Sequence, residues 1–169
     1  MLESEDHQNN SQHERLKNMP LYKKSWDIMN IGNRIAALIP ENEEDFLSNY
    51  AEYIKIDSSL IPAKIAGAES VDLYDLRMEY AAIIRKTARD ICIHCVALES
   101  FGFKETEYLQ LLQNEVEEFR ILFAEWVKTF DQWNYVIDRW GLFNPPGISY
   151  DDKDPDDDIP FDPNDFYDE

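Results

Sequence analysis

Basic residues are scarce in this chain. Its 169 residues hold 16 Lys and Arg against 35 Asp and Glu, a formal net charge of −19. A field of that sign repels nucleic acid and anionic membranes at long range unless the bases are gathered on one face. Cysteine is nearly absent as well. Cys92 and Cys95 alone cannot make the disulfide framework of a small secreted domain. The five glycines form no phosphate-cradling loop. No stretch approaches the about 18 uncharged apolar residues that a transmembrane helix needs. Met1 to Pro20 is polar and lacks the apolar segment of a signal peptide, so a cytoplasmic protein with no membrane partner is expected, and Met19 is a second candidate start beside Met1. Strand-like alternation is scarce and hairpin signals are missing too.

Apolar side chains are plentiful. A hydrophobic content of 44% with 13% aromatics suits one domain with a real core. The expected organisation is a polar, flexible leader over 1–19, a helical domain over 20–143 and an acidic Pro/Asp/aromatic tail over 144–169. The stretch Asp151 to Glu169 alone holds ten acids against Lys153, a net charge of −9.

The pattern is helical almost throughout. Ser25 is placed to cap a first helix striped by Ile28, Ile31, Ile35 and Leu38 or Ile39, ending before Pro40. The acidic run Glu41, Glu43, Glu44, Asp45 suits a helix N-terminus. A second helix carries Phe46, Tyr50, Tyr53, Ile54, Leu60, Ile61 and Ile65, and Pro62 inside it predicts a kink or a division. Gly67 to Ser70 reads as a turn. A third helix from near Asp72 holds Leu73, Leu76, Tyr80, Ile84, Ala88, Ile91, Cys95 and Leu98, with Gly102 as its left-handed C-cap.

The last helix announces itself most clearly. Leu112, Val116, Phe119, Phe123, Trp126, Phe130, Trp133, Ile137 and Trp140 repeat with four-three spacing, the seam of one helix from Lys104 to Trp140, roughly 55 Å long. Four helices with short connectors give an all-α, antiparallel up-down four-helix bundle with a long aromatic C-terminal helix and an acidic tail. The first three helices are shorter than the fourth. Trp126, Phe130, Trp133, Ile137 and Trp140 therefore form the candidate interface, a surface for another chain or a folded-back tail.

Certain anchors resemble a known group. Tyr22-Lys23-Lys24-Ser25-Trp26, Ile39-Pro40, Ser58-Ser59-Leu60-Ile61-Pro62-Ala63-Lys64-Ile65-Ala66-Gly67 and Phe101-Gly102-Phe103 follow, over about residues 20–130, the order of motifs in proteins encoded in 23S rRNA intervening sequences. The resemblance implies a four-helix bundle, assembled as a ring of five, with no established enzymatic activity. A related bundle, the accessory protein of diversity-generating retroelements, binds nucleic acid through a basic surface. The departures fall on typical positions: Lys64 replaces the group's Asn, Gly67-Ala68 its Glu-Gly, Lys86-Thr87 its Gly-Ser, and Asp90 and Cys92 stand at its Glu-Leu-Glu.

Few constellations carry chemistry. Cys92, His94 and Cys95 make the only sulfur-imidazole cluster, but His94 points away from the thiols' shared face and His7 and His13 lie in the leader. Two buried core thiols are expected, with no metal site, since zinc asks for four ligands. No Glu-x-x-His pair supports a di-iron bundle. The acidic run counted from Asp152 lacks the Gly and Glu of a calcium loop, having Asp157 and Pro163 at the sixth and twelfth positions. No cofactor is expected. Arg85, Lys86 and Arg89, joined in space by Lys64, Lys23 and Lys24, form the candidate basic patch, whose ordinary reading is a solvated helix face paired with Glu79 and Asp90. The tail's Ile159, Phe161, Phe166 and Tyr167 suit docking on an apolar or basic groove.

No nucleophile–base motif is present, so a non-catalytic, homo-oligomeric scaffold or interaction module with a protein partner is the leading functional expectation. The alternative is a nucleic-acid-associated accessory factor acting through the basic patch.

Overall fold

Pro20 opens the first long helix of the computed structural model, which describes residues 14–40 and 45–154. The acidic run 41–44, His7, His13 and residues 155–169 of the expected tail lie outside the described residues. Helix α1 spans Pro20–Ala37, α2 Phe46–Glu69, α3 Tyr74–Ser100 and α4 Thr106–Val127. Residues 14–18 form a further helical turn, and Leu16 and Met19 pack against the core. Every regular element among the described residues is helical, and no helix is long and apolar enough to cross a membrane.

Each helix buries one face at alternating three- and four-residue steps. Leu21, Ser25, Ile28, Gly32 and Ile35 do so in α1, and Ala51, Ile54, Ser58, Ile61, Ile65 and Ala68 in α2. In α3 the series is Ala81, Ile84, Ala88, Ile91, Cys95 and Leu98, and in α4 it is Leu109, Leu112, Val116 and Phe119. That spacing keeps one stripe facing the neighbours. Contacts close in a cycle: α1 packs on α2, α2 on α3, α3 on α4 and α4 back on α1, with α3 and α4 the least closely packed pair. Each fully buried Ile or Leu contributes about 1.5–3 kcal/mol.

Several sequence expectations change here. Ser25 is no cap. It lies buried inside α1, its hydroxyl donating to the Tyr22 carbonyl at 2.6 Å, while Pro20 sits in the first turn, where its missing N–H costs no hydrogen bond. Pro62 does not divide α2, which runs unbroken through it with the ring buried. Gly67 belongs to the helix rather than to a turn; a Cβ there would stand 2.8 Å from the Tyr80 ring, so its role is close approach of α2 to α3. Leu38, Phe46, Tyr53 and Leu76 face outward, and Ile39 rather than Leu38 enters the core. Gly102 does take a positive φ, +91°, after α3.

The largest correction concerns the fourth helix. It ends at Val127, not Trp140. The Thr129 and Phe130 amides reach back only three residues, to Trp126 and Val127. Beyond them the sequence Thr-Phe-Asp-Gln-Trp-Asn-Tyr-Val-Ile-Asp holds mostly weak helix formers, and Asp side chains compete for the backbone amides. Residues 128–154 fold instead as a chain of turns over the start of α3. Tyr74 N–H donates to the Asn134 carbonyl at 2.7 Å, Asn134 Nδ2 to the Asp72 carbonyl at 3.2 Å, and Val136 N–H to Asp75 Oδ1 at 3.2 Å. The first of these satisfies an amide that a helix N-terminus leaves open.

Candidate functional site

The five aromatic and aliphatic candidates divide into two sets. Trp126, Phe130 and Ile137 are buried, at 7%, 5% and 5% exposure, and belong to the interior. Trp126 and Phe130 meet edge to face at 4.7 Å, and the Arg77 guanidinium lies 4.3 Å from the Phe130 ring centre. Trp133 and Trp140 are each 91% exposed. They do not line one helical seam, because no helix is there to align them.

These two tryptophans occupy the same local structure twice. The segments Asp131-Gln132-Trp133-Asn134 and Asp138-Arg139-Trp140-Gly141 lie seven residues apart. In the first, Asp131 Oδ1 accepts the Trp133 N–H at 2.9 Å, and the Asn134 N–H points at the Asp131 carbonyl at 3.4 Å. In the second, Asp138 Oδ1 accepts the Trp140 N–H at 2.9 Å, and the Gly141 N–H reaches the Asp138 carbonyl at 3.0 Å. An aspartate that binds the amide two residues on builds such a turn from its own side chain. Each turn aims its indole at solvent.

The second turn is tied down further. Asp138 Oδ2 accepts the Leu142 and Phe143 N–H groups at 2.8 and 2.9 Å, and Asn144 exchanges two hydrogen bonds with the Asp138 backbone at 2.7 and 2.9 Å. The amides of Phe143, Trp140 and Leu142 hold the Asp138 carboxyl below the usual carboxylate range. Arg139 Nη1 donates to the Tyr150 and Asp152 carbonyls at 2.9 and 2.8 Å, which folds the following stretch back.

The basic patch does not converge as a unit. Lys86 is bound to Asp90, its neighbour one turn on, and Lys64 lies 5.5 Å from the Tyr80 ring centre. Arg85 and Arg89 make no ion pair or side-chain hydrogen bond among the described residues. They flank a groove of about 670 Å³ where α3 and α4 part, floored by Ala88, Cys92, Val116, Phe119, Phe123 and Val127. Arg120 stands on the α4 side, held bidentate by Glu117 at 2.6 and 2.8 Å. Sequence spacing missed both the groove and Arg120, because the parting of two helices is set by tertiary packing.

Cys92 lines that groove half-buried, whereas Cys95 is fully in the core. Burial pushes the Cys95 thiol up to about 12 and raises that of Cys92 as well. His94 leans to the other side of α3, its Nε2 3.1 Å from Asp57 Oδ2, between the rings of Tyr50 and Tyr53. Burial raises the Asp57 carboxyl and the His94 ring partly offsets that. No group of three or more His, Cys, Asp or Glu side chains that could hold a metal ion occurs among the described residues. No family model, curated protein or solved structure matches the chain.

Proposed function

We propose that this chain is a non-catalytic scaffold, an antiparallel up-down four-helix bundle that self-associates and recruits a protein partner through Trp133 and Trp140. The pairing of α2 with α3 supports the antiparallel order: Phe46 meets Phe101, Asp57 meets His94, and Gly67 meets Tyr80. The carrying observation is the twin turn. Two tryptophans exposed at 91% stand on backbone whose N–H groups are held by the Asp131 and Asp138 carboxylates, although neither ring packs in the core of this chain. Tryptophan leads the residue types that anchor protein interfaces, and a pre-ordered backbone lowers the ordering cost of binding. The neighbouring Asp131, Asp151 and Asp152 favour a partner segment carrying Lys or Arg, whose cations also suit indole faces.

The resemblance to the intervening-sequence proteins supports a ring of five as the assembly, and a cytoplasmic location goes with the scaffold reading. The alternative, a nucleic-acid-associated accessory factor, draws support from Arg85 and Arg89, whose side chains carry no ion pair among the described residues. Its mark is an affinity for nucleic acid that falls steeply with salt.

Two measurements test the scaffold reading. Light scattering on the full chain is expected to return a multiple of 19.9 kDa. A single-chain mass at every concentration removes self-association. A photo-crosslinking residue placed at 133 or 140 is expected to yield adducts with one defined second protein in the cell. Adducts at neither position, with ample adducts elsewhere, remove recruitment through the turns.

A further inference from the structure

The groove between α3 and α4 pairs two unusual features. Its floor is apolar along α3 from Arg85 to Ile93, roughly 12 Å at 1.5 Å per residue. Its α3 wall carries Arg85 and Arg89, one turn apart and unpaired among the described residues, in a protein with a net charge of −19. Two adjacent arginines left without carboxylates, on a surface where acids outnumber bases two to one, mark a place kept for an anionic group. The groove's cations, Arg85 and Arg89 on the α3 wall and Arg120 on the α4 wall, where it engages the lining carboxylate Glu117, are spread along it rather than gathered at one end. That arrangement fits a peptide with acids spaced along it better than an amphiphile with a single headgroup.

The chain itself contains such a peptide. Residues 155–169 hold seven acids and no base, with Ile159, Phe161, Phe166 and Tyr167 interleaved. Pro155, Pro160 and Pro163 oppose a helix and favour extended backbone, in which Ile159 and Phe161 share one side. Five extended residues, Asp158 to Asp162, span about 13 Å, the length of the groove floor along α3. The turns of 134–136 are bonded to the start of α3 at Asp72 and Asp75, and Asp75 lies about 15 Å from Arg85 along the helix. Asp158 to Asp162 follow Asp154, the last described residue, by four to eight positions, about 14 to 27 Å of extended chain.

We infer that the chain's own C-terminal segment occupies this groove, with Ile159 and Phe161 on the floor of Phe119, Phe123 and Cys92 and the flanking aspartates against Arg85 and Arg89. The inference goes beyond the proposed function and concerns a different face from the tryptophan turns. A tethered segment acts at an effective concentration in roughly the millimolar range, so weak contacts suffice to keep the groove covered. An outside acidic, aromatic-bearing segment enters only by displacing it.

Cys92 reports occupancy in the full chain. Its thiol lines the groove while Cys95 is sealed in the core, so iodoacetamide at mildly alkaline pH reads the first and spares the second. Ile159→Ser with Phe161→Ser is expected to raise the Cys92 alkylation rate about tenfold, as is Arg85→Glu with Arg89→Glu. Added salt is expected to raise the wild-type rate toward the same value. Adding Asp158→Lys and Asp162→Lys to the arginine-reversal variant is expected to restore protection, and no unfolding artefact does that. Equal rates in the wild type and the Ile159/Phe161 variant overturn the inference. So does a wild-type rate that falls as protein concentration rises, which assigns the groove to a second copy.

Discussion

Trp126 and Glu69 meet across the interior. The indole N–H of α4 donates to Glu69 Oε1 of α2 at 2.8 Å, and the same carboxylate is paired with Arg77 of α3. Three helices are thus joined at one carboxylate, with the Arg77 guanidinium stacked on Phe130. Both charged side chains are largely buried, so the two ways of cutting the junction differ in size. Trp126→Phe keeps a six-membered ring, trims the rest of the indole and loses one hydrogen bond to a charged group, the bond alone about 1.5–3 kcal/mol. Glu69→Ala leaves the guanidinium without its partner and is expected to cost about 3–5 kcal/mol. Urea unfolding measures both, and the order fails if the glutamate change is the milder.

Gly32 and Gly67 both sit at close helix contacts, but their neighbours differ in freedom. An added Cβ at Gly32 meets Ser58 Oγ at 2.5 Å and Ser58 Cβ at 2.8 Å, atoms fixed to the α2 backbone. At Gly67 it meets the outer edge of the Tyr80 ring at 2.8 Å, which is able to swing. Gly32→Ala is therefore expected to destabilise by about 1–3 kcal/mol through overpacking, and Gly67→Ala by less. Thermal unfolding of the two variants settles the order.

The aromatic candidates separate in the same kind of experiment. Phe130→Ala is expected to cost about 3–5 kcal/mol and Ile137→Ala about 2–5 kcal/mol, because each leaves a cavity. Trp133→Ser with Trp140→Ser removes two solvated side chains and is expected to shift stability by no more than about 0.5 kcal/mol per site. A large loss in the tryptophan pair means those rings pack on something, and the reading of them as free anchors then fails.

Acid is expected to loosen the second turn. The Asp138 carboxyl is held low by the Phe143, Trp140 and Leu142 amides, so its folded value lies below the unfolded value of about 3.9. The sign follows: the hydrogen bonds contribute fully above that value and are lost as pH falls from about 4 through the folded value. Protection of the Trp140, Leu142 and Phe143 amides, taken relative to the free-chain exchange rate at each pH, should fall over that window in the wild type. In Asp138→Asn it should be lower at neutral pH already and show no further acid step.

The helix positions were legible because buried stripes follow a period that the sequence displays directly. Ile28, Ile35, Ile54, Ile61, Ile65, Ile84, Ile91, Leu98, Leu112 and Phe119 all fall where that period puts them. The seven-residue period misled beyond Val127. Asp131-Gln132-Trp133 and Asp138-Arg139-Trp140 repeat at seven residues because a turn is built twice, and the heptad seam has the same step. The discriminating signal was present in composition: aspartate opens both copies and Gln132 is the one strong helix former between them. Lys24 was invisible as a tether for a different reason. Its bonds to Glu115 and Glu118 at 2.7 and 2.6 Å span more than ninety positions, and no local pattern announces such a partner. Those two carboxylates hold the Lys24 ammonium charged well above the usual lysine range.

The hydrogen bonds over the start of α3 also set an order of events during synthesis. Asn134 Nδ2 reaches the Asp72 carbonyl across 62 positions, and Val136 reaches Asp75 across 61. A ribosome adding 5–20 residues per second needs roughly 3 to 12 seconds to lay down that interval. Until then the Tyr74 amide at the start of α3 has only water to bind, and Phe130 and Ile137 are not yet there to pack. The closing turns are thus a latch fastened last, and a nascent chain halted before them presents the unfinished end of its core to whatever binds exposed apolar surface.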